Sequence, residues 1–502
     1  MQRVKIILVN LVALTATSLI LRTVGMSFQV YLSKQIGPSG IGLLQLIMSI
    51  YFLAATFAIS GIRLAATRLV AEELGMNREA GAKKAIKICL CYSLIFSTVF
   101  AITLFFCANF IGTLWLGDTR AILSLRILAL SLPFLAICAV MGGYFTAVRR
   151  VLKLSAVMMA EQVFRIAATV ACILALLPRG LEYACAGIAI GACIGEIASC
   201  LLLFILYSFD IRQYKNRVSS PDLPSRMFRI ALPVAFSAYV TSIIRTVQQT
   251  LIPYGLKKSG ASSESALATF GTIQGMAIPL LMFPAVLLYA ISDLIVPELA
   301  ECQAQGRPNR LSYIINRVIS LGLISSIGVM SIFFRFSAEL GSAVYNNSEA
   351  GYYLKILAPL IPVMYMDSIV DGMLKGIGQQ VPSMAYNIFE SLLGVTLIYL
   401  LLPKFAVAGY IFTLFLTRTL NFGLSLNRLR KFVSLKITAG AICKMLFCIL
   451  NALIISNLVF YTLRITWLPL CILTTAAAYY LLLRLMSCIT GEDLAWFKSI
   501  FS

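Results

Sequence analysis

Fourteen times along its 502 residues the chain runs through an apolar stretch long enough to cross a bilayer, and nothing else in it narrows the fold so far. A helix of about 20 residues, rising about 1.5 Å per residue, covers the hydrocarbon core. The stretches fall at 6–33, 41–68, 86–111, 121–147, 153–177, 183–207, 228–254, 266–295, 311–336, 352–376, 384–402, 406–426, 437–461 and 464–486. Inside hydrocarbon no water satisfies backbone N–H and C=O groups, and a helix satisfies them within its own segment. The expected fold is an all-α polytopic membrane protein with fourteen transmembrane helices and no sizeable soluble domain.

Composition agrees and removes several function classes. Hydrophobic residues make up 60% of the chain and charged residues only 12%, against roughly 25% charged in an ordinary soluble domain. The net charge of +21 does not point to nucleic acid, because the lysines and arginines belong to loops held on one side of the membrane. With no histidine, the commonest metal ligand and the commonest general base are both missing. The 13 cysteines form no CxxC pair and read as small buried hydrophobes. No metal, cofactor or catalytic residue is expected. The first stretch is too long for a signal peptide and is read as the first span.

Charge sets the topology. With the N-terminus inside, the inner loops collect clusters such as Arg78, Lys83, Lys84 and Lys87, then Arg149, Arg150 and Lys153, then Arg428, Arg430 and Lys431. The outer loops keep scattered residues such as Lys34, Arg120, Arg179 and Lys404. Removing one span would scramble this separation, so both termini are expected on the cytoplasmic side.

The chain also repeats itself. Leu21-Arg22-Thr23-Val24 with Tyr31 and Lys34 returns as Ile244-Arg245-Thr246-Val247 with Tyr254 and Lys257. Leu125-Arg126-Ile127-Leu128-Ala129 with Pro133 returns as Leu354-Lys355-Ile356-Leu357-Ala358 with Pro362, and the same register takes Glu161 to Glu390. Ala186-Gly187 returns as Ala408-Gly409. Six spans bring each copy back to the side it started from, so the repeats are parallel. The expected division is an N-terminal lobe at 1–207, a polar basic cytoplasmic linker at 208–226, a C-terminal lobe at 227–426 and an appended pair of spans with a short tail at 427–502. The two six-helix lobes should enclose a central cavity.

Charges at bilayer depth name the candidate residues, since each costs at least about 2.5–3.5 kcal/mol unless it faces water or a partner. Arg22 and Arg245, in matching positions of spans 1 and 7, have no local acid in sequence and are expected to face the cavity and bind an anion. Arg63 follows the helix-loosening Ser60-Gly61 in span 2 and is a third candidate. Glu161 and Arg165 are spaced i,i+4 on span 5, with Glu196 at similar depth on span 6. Glu390 and Arg418 lie at similar depth on spans 11 and 12. These read as ion pairs inside each lobe, or as groups that couple to a proton or cation. Asp367 and Asp371 share a face of span 10 and are a candidate cation site. Gly275, Pro279 and Pro284 mark span 8 as a hinge.

Several of these segments resemble the multidrug/oligosaccharidyl-lipid/polysaccharide exporter superfamily, in particular its polysaccharide-biosynthesis branch around stage V sporulation protein B and the lipid II flippases. The resemblance rests on Ile36-Gly37-Pro38-Ser39-Gly40-Ile41-Gly42, on Ser60-Gly61 through Leu69-Val70-Ala71-Glu72-Glu73, on Glu161-Gln162-Val163-Phe164-Arg165, and on Gly275-Met276-Ala277 with Pro279, Pro284 and Val296-Pro297. It implies a flippase in the bacterial plasma membrane that moves an undecaprenyl-pyrophosphate-linked sugar by alternating access, in cell-wall or spore-cortex synthesis. It further implies a cavity lined by spans 1, 2, 7 and 8, with Arg22, Arg63 and Arg245 as pyrophosphate-binding residues and the last two spans forming a groove for the lipid tail. The partners would be the lipid-linked glycan, membrane lipid and cell-wall synthesis enzymes, with the chain itself a monomer.

Three other readings compete. A cation-coupled multidrug antiporter of the same superfamily calls for acidic residues in the cavity. A polyprenyl glycosyltransferase is disfavoured by the missing histidine, the lack of a DxD pair and the lack of an extramembrane catalytic loop. A non-transporting scaffold for cell-wall enzymes, recruiting through the linker, is the third.

Overall fold

The structure, a computed structural model, describes residues 2–211, 220, 222–435, 439–463 and 467–488. Most of the expected basic linker, residues 212–219 and 221, lies outside the described residues, as does the tail from 489 onward. The elements in order are α1 (Gln2–Ile59), α2 (Ile62–Gly75), α3 (Glu79–Phe110), α4 (Ala121–Ala147), α5 (Val151–Leu176), α6 (Leu181–Ile211), α7 (Leu223–Lys258), α8 (Ser263–Phe270) and α9 (Ile278–Met282). They continue as α10 (Ala285–Ala304), α11 (Pro308–Arg335), α12 (Ser337–Tyr345), α13 (Ser348–Leu357), α14 (Ile361–Gly376), α15 (Gln380–Arg430), α16 (Ala439–Leu463) and α17 (Leu468–Leu485).

Among the described residues, twelve helical stretches are long and apolar enough to cross a membrane. Two are of double length, Ala16–Gly75 with 60 residues and Gln380–Arg430 with 51. Each is interrupted by a residue outside the helical region, Gly37 at φ 69° and Ala406 at φ 48°. Since about 20 residues suffice for one crossing, each double stretch holds two spans, and the expected fourteen fit into the twelve.

Breaks occur where the sequence weakens the helix. At Gly61, φ is 76°, and α1 ends and α2 begins there. Span 8 is a broken helix: a π-helical segment at Gly271–Ala277 is followed by the short α9, and α10 starts only after Pro284. Pro359 lies in a 3₁₀ turn, Ala358–Leu360, that separates α13 from α14. Prolines remove a backbone donor, and a widened π turn or a tightened 3₁₀ turn absorbs the mismatch.

Small residues face inward and large apolar ones outward. On α3 the buried positions include Gly81, Ala82, Ala85, Ser93, Ser97, Ala101 and Ala108, while Phe106 and Phe110 are exposed. That arrangement suits a lipid solvent, where tight packing of small side chains brings helices together.

The chain forms two compact units, residues 1–271 with 398–404, and residues 272–397 with 405–502. The cut at 271 differs from the expected one in the 208–226 segment, for a physical reason. Leu223, Met227 and Ala231 of α7 belong to the core that α2, α3 and α4 build with Ile62, Leu69, Ile86, Met141 and Tyr144. Gly61 lies so near α7 that a Cβ there would meet the Ala231 carbonyl at 2.3 Å. The buried Glu73 accepts a hydrogen bond from Ser220 Oγ at 2.6 Å and pairs with Arg226 Nη1 at 3.1 Å, which fastens the start of α7 to the end of α2. In the second unit α16 and α17 pack on α11. Met445, Cys448 and Ile449 meet Ile324 and Ile327, and Tyr479 lies over Gly328 and donates to the Ile324 carbonyl at 3.2 Å.

Candidate functional site

A cavity of about 1000 Å³ opens inside the first unit. Helical periodicity explains its wall. On α1, Gly25, Phe28, Gln29 and Leu32 form one i, i+3, i+4, i+7 stripe, and Ile41, Leu44, Gln45, Met48, Ser49 and Phe52 form another beyond the Gly37 break. Ala238, Ser242, Arg245 and Gln249 form the facing stripe of α7. Leu135 of α4, Gln162, Arg165 and Thr169 of α5, and Ile188, Ala192 and Glu196 of α6 complete it. The wall thus mixes polar and charged side chains with apolar ones.

Two charged features share the cavity. The first is Arg245, whose side chain is exposed and has no carboxylate within ion-pair distance among the described residues. Its neighbour Thr246 is buried and donates to the Ser49 carbonyl at 3.2 Å, which fixes the rotation of α7 against α1. The second is a triad. Arg165 Nη2 pairs with Glu161 one turn away on α5, and with Glu196 Oε1 of α6 at 3.3 Å. Glycines bring the two helices close enough: a Cβ at Gly195 would stand 3.0 Å from Arg165 Cβ, and one at Gly191 would stand 2.0 Å from the Thr169 hydroxyl. Arg165 Nε is buried without a hydrogen-bond partner, so the guanidinium is used at its ends only.

The other candidates are placed differently. Arg22 is exposed three residues before the first lining residue, Gly25, and is not in the cavity wall. Arg63 is exposed beyond the Gly61 break, with its guanidinium carbon 3.8 Å from where a Cβ on Gly142 of α4 would stand. Arg68 forms an i,i+4 pair with Glu72 at 2.8 Å.

In the second unit Glu390 Oε1 and Arg418 Nη1 are 3.2 Å apart, which joins the two halves of α15. Asp367 of α14 accepts two hydrogen bonds from Asn421 Nδ2, each at 3.1 Å, and the same amide reaches Asn387. Asp371 is taken by Lys375 at 2.6 Å and by Ser383. The two aspartates of one helix face therefore serve different partners. Among the described residues no group of three or more His, Cys, Asp or Glu side chains could hold a metal ion.

Three features went unread in the sequence. The buried Glu73 and the buried Asp210, which pairs with Arg150 and with Lys153 at 2.8 Å, are satisfied by residues distant in the chain. The glutamines of the cavity wall carry no charge and so gave no depth signal. Their place on the same stripes as Ser49, Arg165 and Arg245 is the clue that was available.

Comparison with known proteins places this architecture. The family described as polysaccharide biosynthesis protein matches residues 7–303, and the family described as MatE matches residues 258–400. Stage V sporulation protein B of Bacillus subtilis (strain 168) is 26% identical over 404 residues, covering 79% of this chain and 78% of the relative. The solved structure of the lipid II flippase MurJ in its inward closed conformation superposes with a TM-score of 0.71 at 16% identity, over 94% of this chain and 98% of that one. An inward-facing multidrug resistance MATE family transporter of the MOP superfamily follows with a TM-score of 0.65 at 14% identity, over 82% of this chain and 95% of that one. At these identities the two superpositions establish a common fold.

Proposed function

Because the chain belongs to the polysaccharide biosynthesis protein family of the MOP superfamily, we propose that it is a flippase for a lipid-linked sugar. The substrate is an undecaprenyl-pyrophosphate-linked precursor of peptidoglycan or another polysaccharide, carried across the bacterial plasma membrane by alternating access. One observation carries this reading: a guanidinium, Arg245, free of carboxylates among the described residues, in a polar cavity within a transmembrane unit. A pyrophosphate cannot cross hydrocarbon unaided, and arginine offers a permanently charged, planar, two-pronged donor that matches phosphate oxygens. The polyprenyl tail stays in the bilayer while the head group passes through the cavity. Arg22 and Arg63, both exposed on α1 and α2, draw the anionic head toward it. The ion pairs of Glu161, Arg165 and Glu196, and of Glu390 and Arg418, hold their helices together. Peptidoglycan synthesis, including that of a spore cortex, is the setting this function fits, with both termini in the cytoplasm and a single chain as the working unit.

A cation-coupled drug antiporter is the second reading, favoured by the MatE match and by Glu196 in the cavity wall. Its weakness is Arg165, which already pairs with that acid at 3.3 Å. Reconstitution decides between them. Proteoliposomes holding the full chain should expose an undecaprenyl-pyrophosphoryl sugar to an external probe faster than protein-free vesicles. Gradient-driven efflux of a cationic dye, with no movement of the lipid, would replace the first reading by the second.

A further inference from the structure

Several hydroxyl groups of the cavity wall are used within the fold, although the buried Thr169 hydroxyl is not, and three of its carboxamides are left unused. Ser49 donates to the Leu46 carbonyl at 2.7 Å, Thr246 to the Ser49 carbonyl at 3.2 Å and Thr241 to the Ser237 carbonyl at 2.9 Å. Tyr51 and Ser131 bond each other at 2.9 Å. These groups are spent on the fold. Gln45 of α1, Gln162 of α5 and Gln249 of α7 also line the cavity and are half-buried, yet none has a hydrogen-bond partner among the described residues. Each carboxamide offers two donors and an acceptor oxygen with two lone pairs. Left unmade within a membrane bundle, those bonds are costly, so three such groups on three helices face water or a ligand.

Their chemistry selects the ligand. A bare diphosphate accepts hydrogen bonds only and would leave the three acceptor oxygens unmatched. A cationic drug would use Glu196 and the aromatic faces of Phe28 and Phe52, and would give the carboxamides no role. A sugar rich in hydroxyls, or one carrying an acetamido group, is donor and acceptor at once and uncharged, as the carboxamides are. Gln249 lies four residues beyond Arg245 on the same face of α7, about 6 Å along the axis, which is the step from a phosphate to the sugar attached to it. The cavity, at about 1000 Å³, is at the upper end of the range for drug-sized ligands and takes a compact head group.

We propose that Gln45, Gln162 and Gln249 form a sugar-reading site that binds a neutral, hydroxyl- or acetamido-bearing sugar of the head group, with Arg245 holding its phosphates. This rests on the flippase reading for its physiological substrate. The test uses two probes, undecaprenyl-pyrophosphoryl-N-acetylglucosamine and undecaprenyl pyrophosphate without a sugar. It compares the full-length protein with the Gln45→Leu, Gln162→Leu, Gln249→Leu triple variant. In proteoliposomes the triple variant should move the sugar-bearing lipid about tenfold more slowly or worse, since each lost hydrogen bond costs a severalfold factor. Movement of the sugar-free lipid should stay within about twofold. In detergent, thermal stabilisation of the native protein by the sugar-bearing lipid should exceed that by the sugar-free one, and the triple variant should erase the difference. Equal loss for both lipids, or no loss for either, overturns the proposal. If the native protein moves neither lipid, the flippase reading falls, and the thermal comparison still decides the site: equal stabilisation by both probes ends it, and a sugar-dependent excess lost in the variant upholds it.

Discussion

The two units carry charged clusters at corresponding places, and they have been put to different uses. Glu161 and Glu390 match in the internal repeat, and the Ala186-Gly187 and Ala408-Gly409 correspondence sets Glu196 opposite Arg418. The same two positions thus bear two acids in the first unit and an acid with a base in the second. In the second unit Glu390 and Arg418 neutralise each other at 3.2 Å, while the adjacent Asp367 is satisfied by Asn421, itself only 2% exposed. In the first, an arginine has been added on α5 between two acids, and the triad faces a cavity that also holds Arg245. A common scaffold keeps an ion pair across successive helices. What differs is the setting: Arg165 and Glu196 line the cavity of the first unit, whereas the second-unit pair stands beside Asp367 and its partner Asn421.

The largest effect expected from this contrast is on stability, in the second unit. Arg418→Ala would remove the guanidinium that pairs with Glu390 inside the bundle, at a cost of roughly 3 kcal/mol. This is the low end for a broken buried pair, because the Arg418 side chain is 40% exposed. Thermal unfolding in detergent should show a clear drop, and the yield of folded protein should fall before any transport defect can be measured. An Arg418→Ala protein as stable as the native one would remove the contrast.

Next comes Arg245. Arg245→Ala should lower translocation of the lipid-linked sugar by about a hundredfold, the scale of losing a charge-assisted pair of bonds, while thermal stability stays within about 0.5 kcal/mol. Arg245→Lys keeps the charge and loses the fork, so an intermediate loss of about tenfold is expected. Equal rates for the lysine and arginine forms would reduce Arg245 to a simple electrostatic role.

How much of this could be read from the chain depends on the range of the signal. Hydropathy is local, so the spans, the break at Gly61 and the weak point at Pro279 and Pro284 were legible, as was the Glu390–Arg418 pair from matching depth. The place of α7 was not, because it depends on Gly61 meeting Ala231 and on Glu73 meeting Ser220 and Arg226, contacts between distant segments. Repetition in sequence also suggested equal roles for Arg22 and Arg245. The cavity wall, set by which helix face packs where, includes Arg245 and not Arg22.

The triad gives a smaller and more discriminating effect. Glu196→Gln leaves Glu161 to hold Arg165, and the glutamine Oε1 can still accept a hydrogen bond from the guanidinium. Stability should therefore fall by only about 1 kcal/mol. Translocation of the lipid-linked sugar should persist in vesicles with or without a proton gradient, because the role assigned to Glu196 is to fix Arg165. Loss of a gradient dependence that the native protein shows, in a folded Glu196→Gln variant, would turn the triad from a structural pair into a coupling site.

The smallest effect separates the two repeated arginines. If the repeat alone determined function, Arg22→Ala and Arg245→Ala would be equally damaging. Arg22 is exposed a turn short of Gly25, where the cavity wall begins, and the role proposed for it is to attract an anionic head group over a distance. Attraction between exposed charges is screened beyond about 10 Å at 0.1 M salt. Arg22→Ala should accordingly slow translocation only about two- to threefold at low ionic strength, with the deficit shrinking as salt is raised. The Arg245→Ala defect should survive the same salt, because a direct contact with phosphate inside the cavity is screened far less. Measuring both variants across a salt series gives two curves of different shape. Parallel curves would mean that the two arginines touch the head group alike, and that the cavity wall seen here is only one state of a site shared by both.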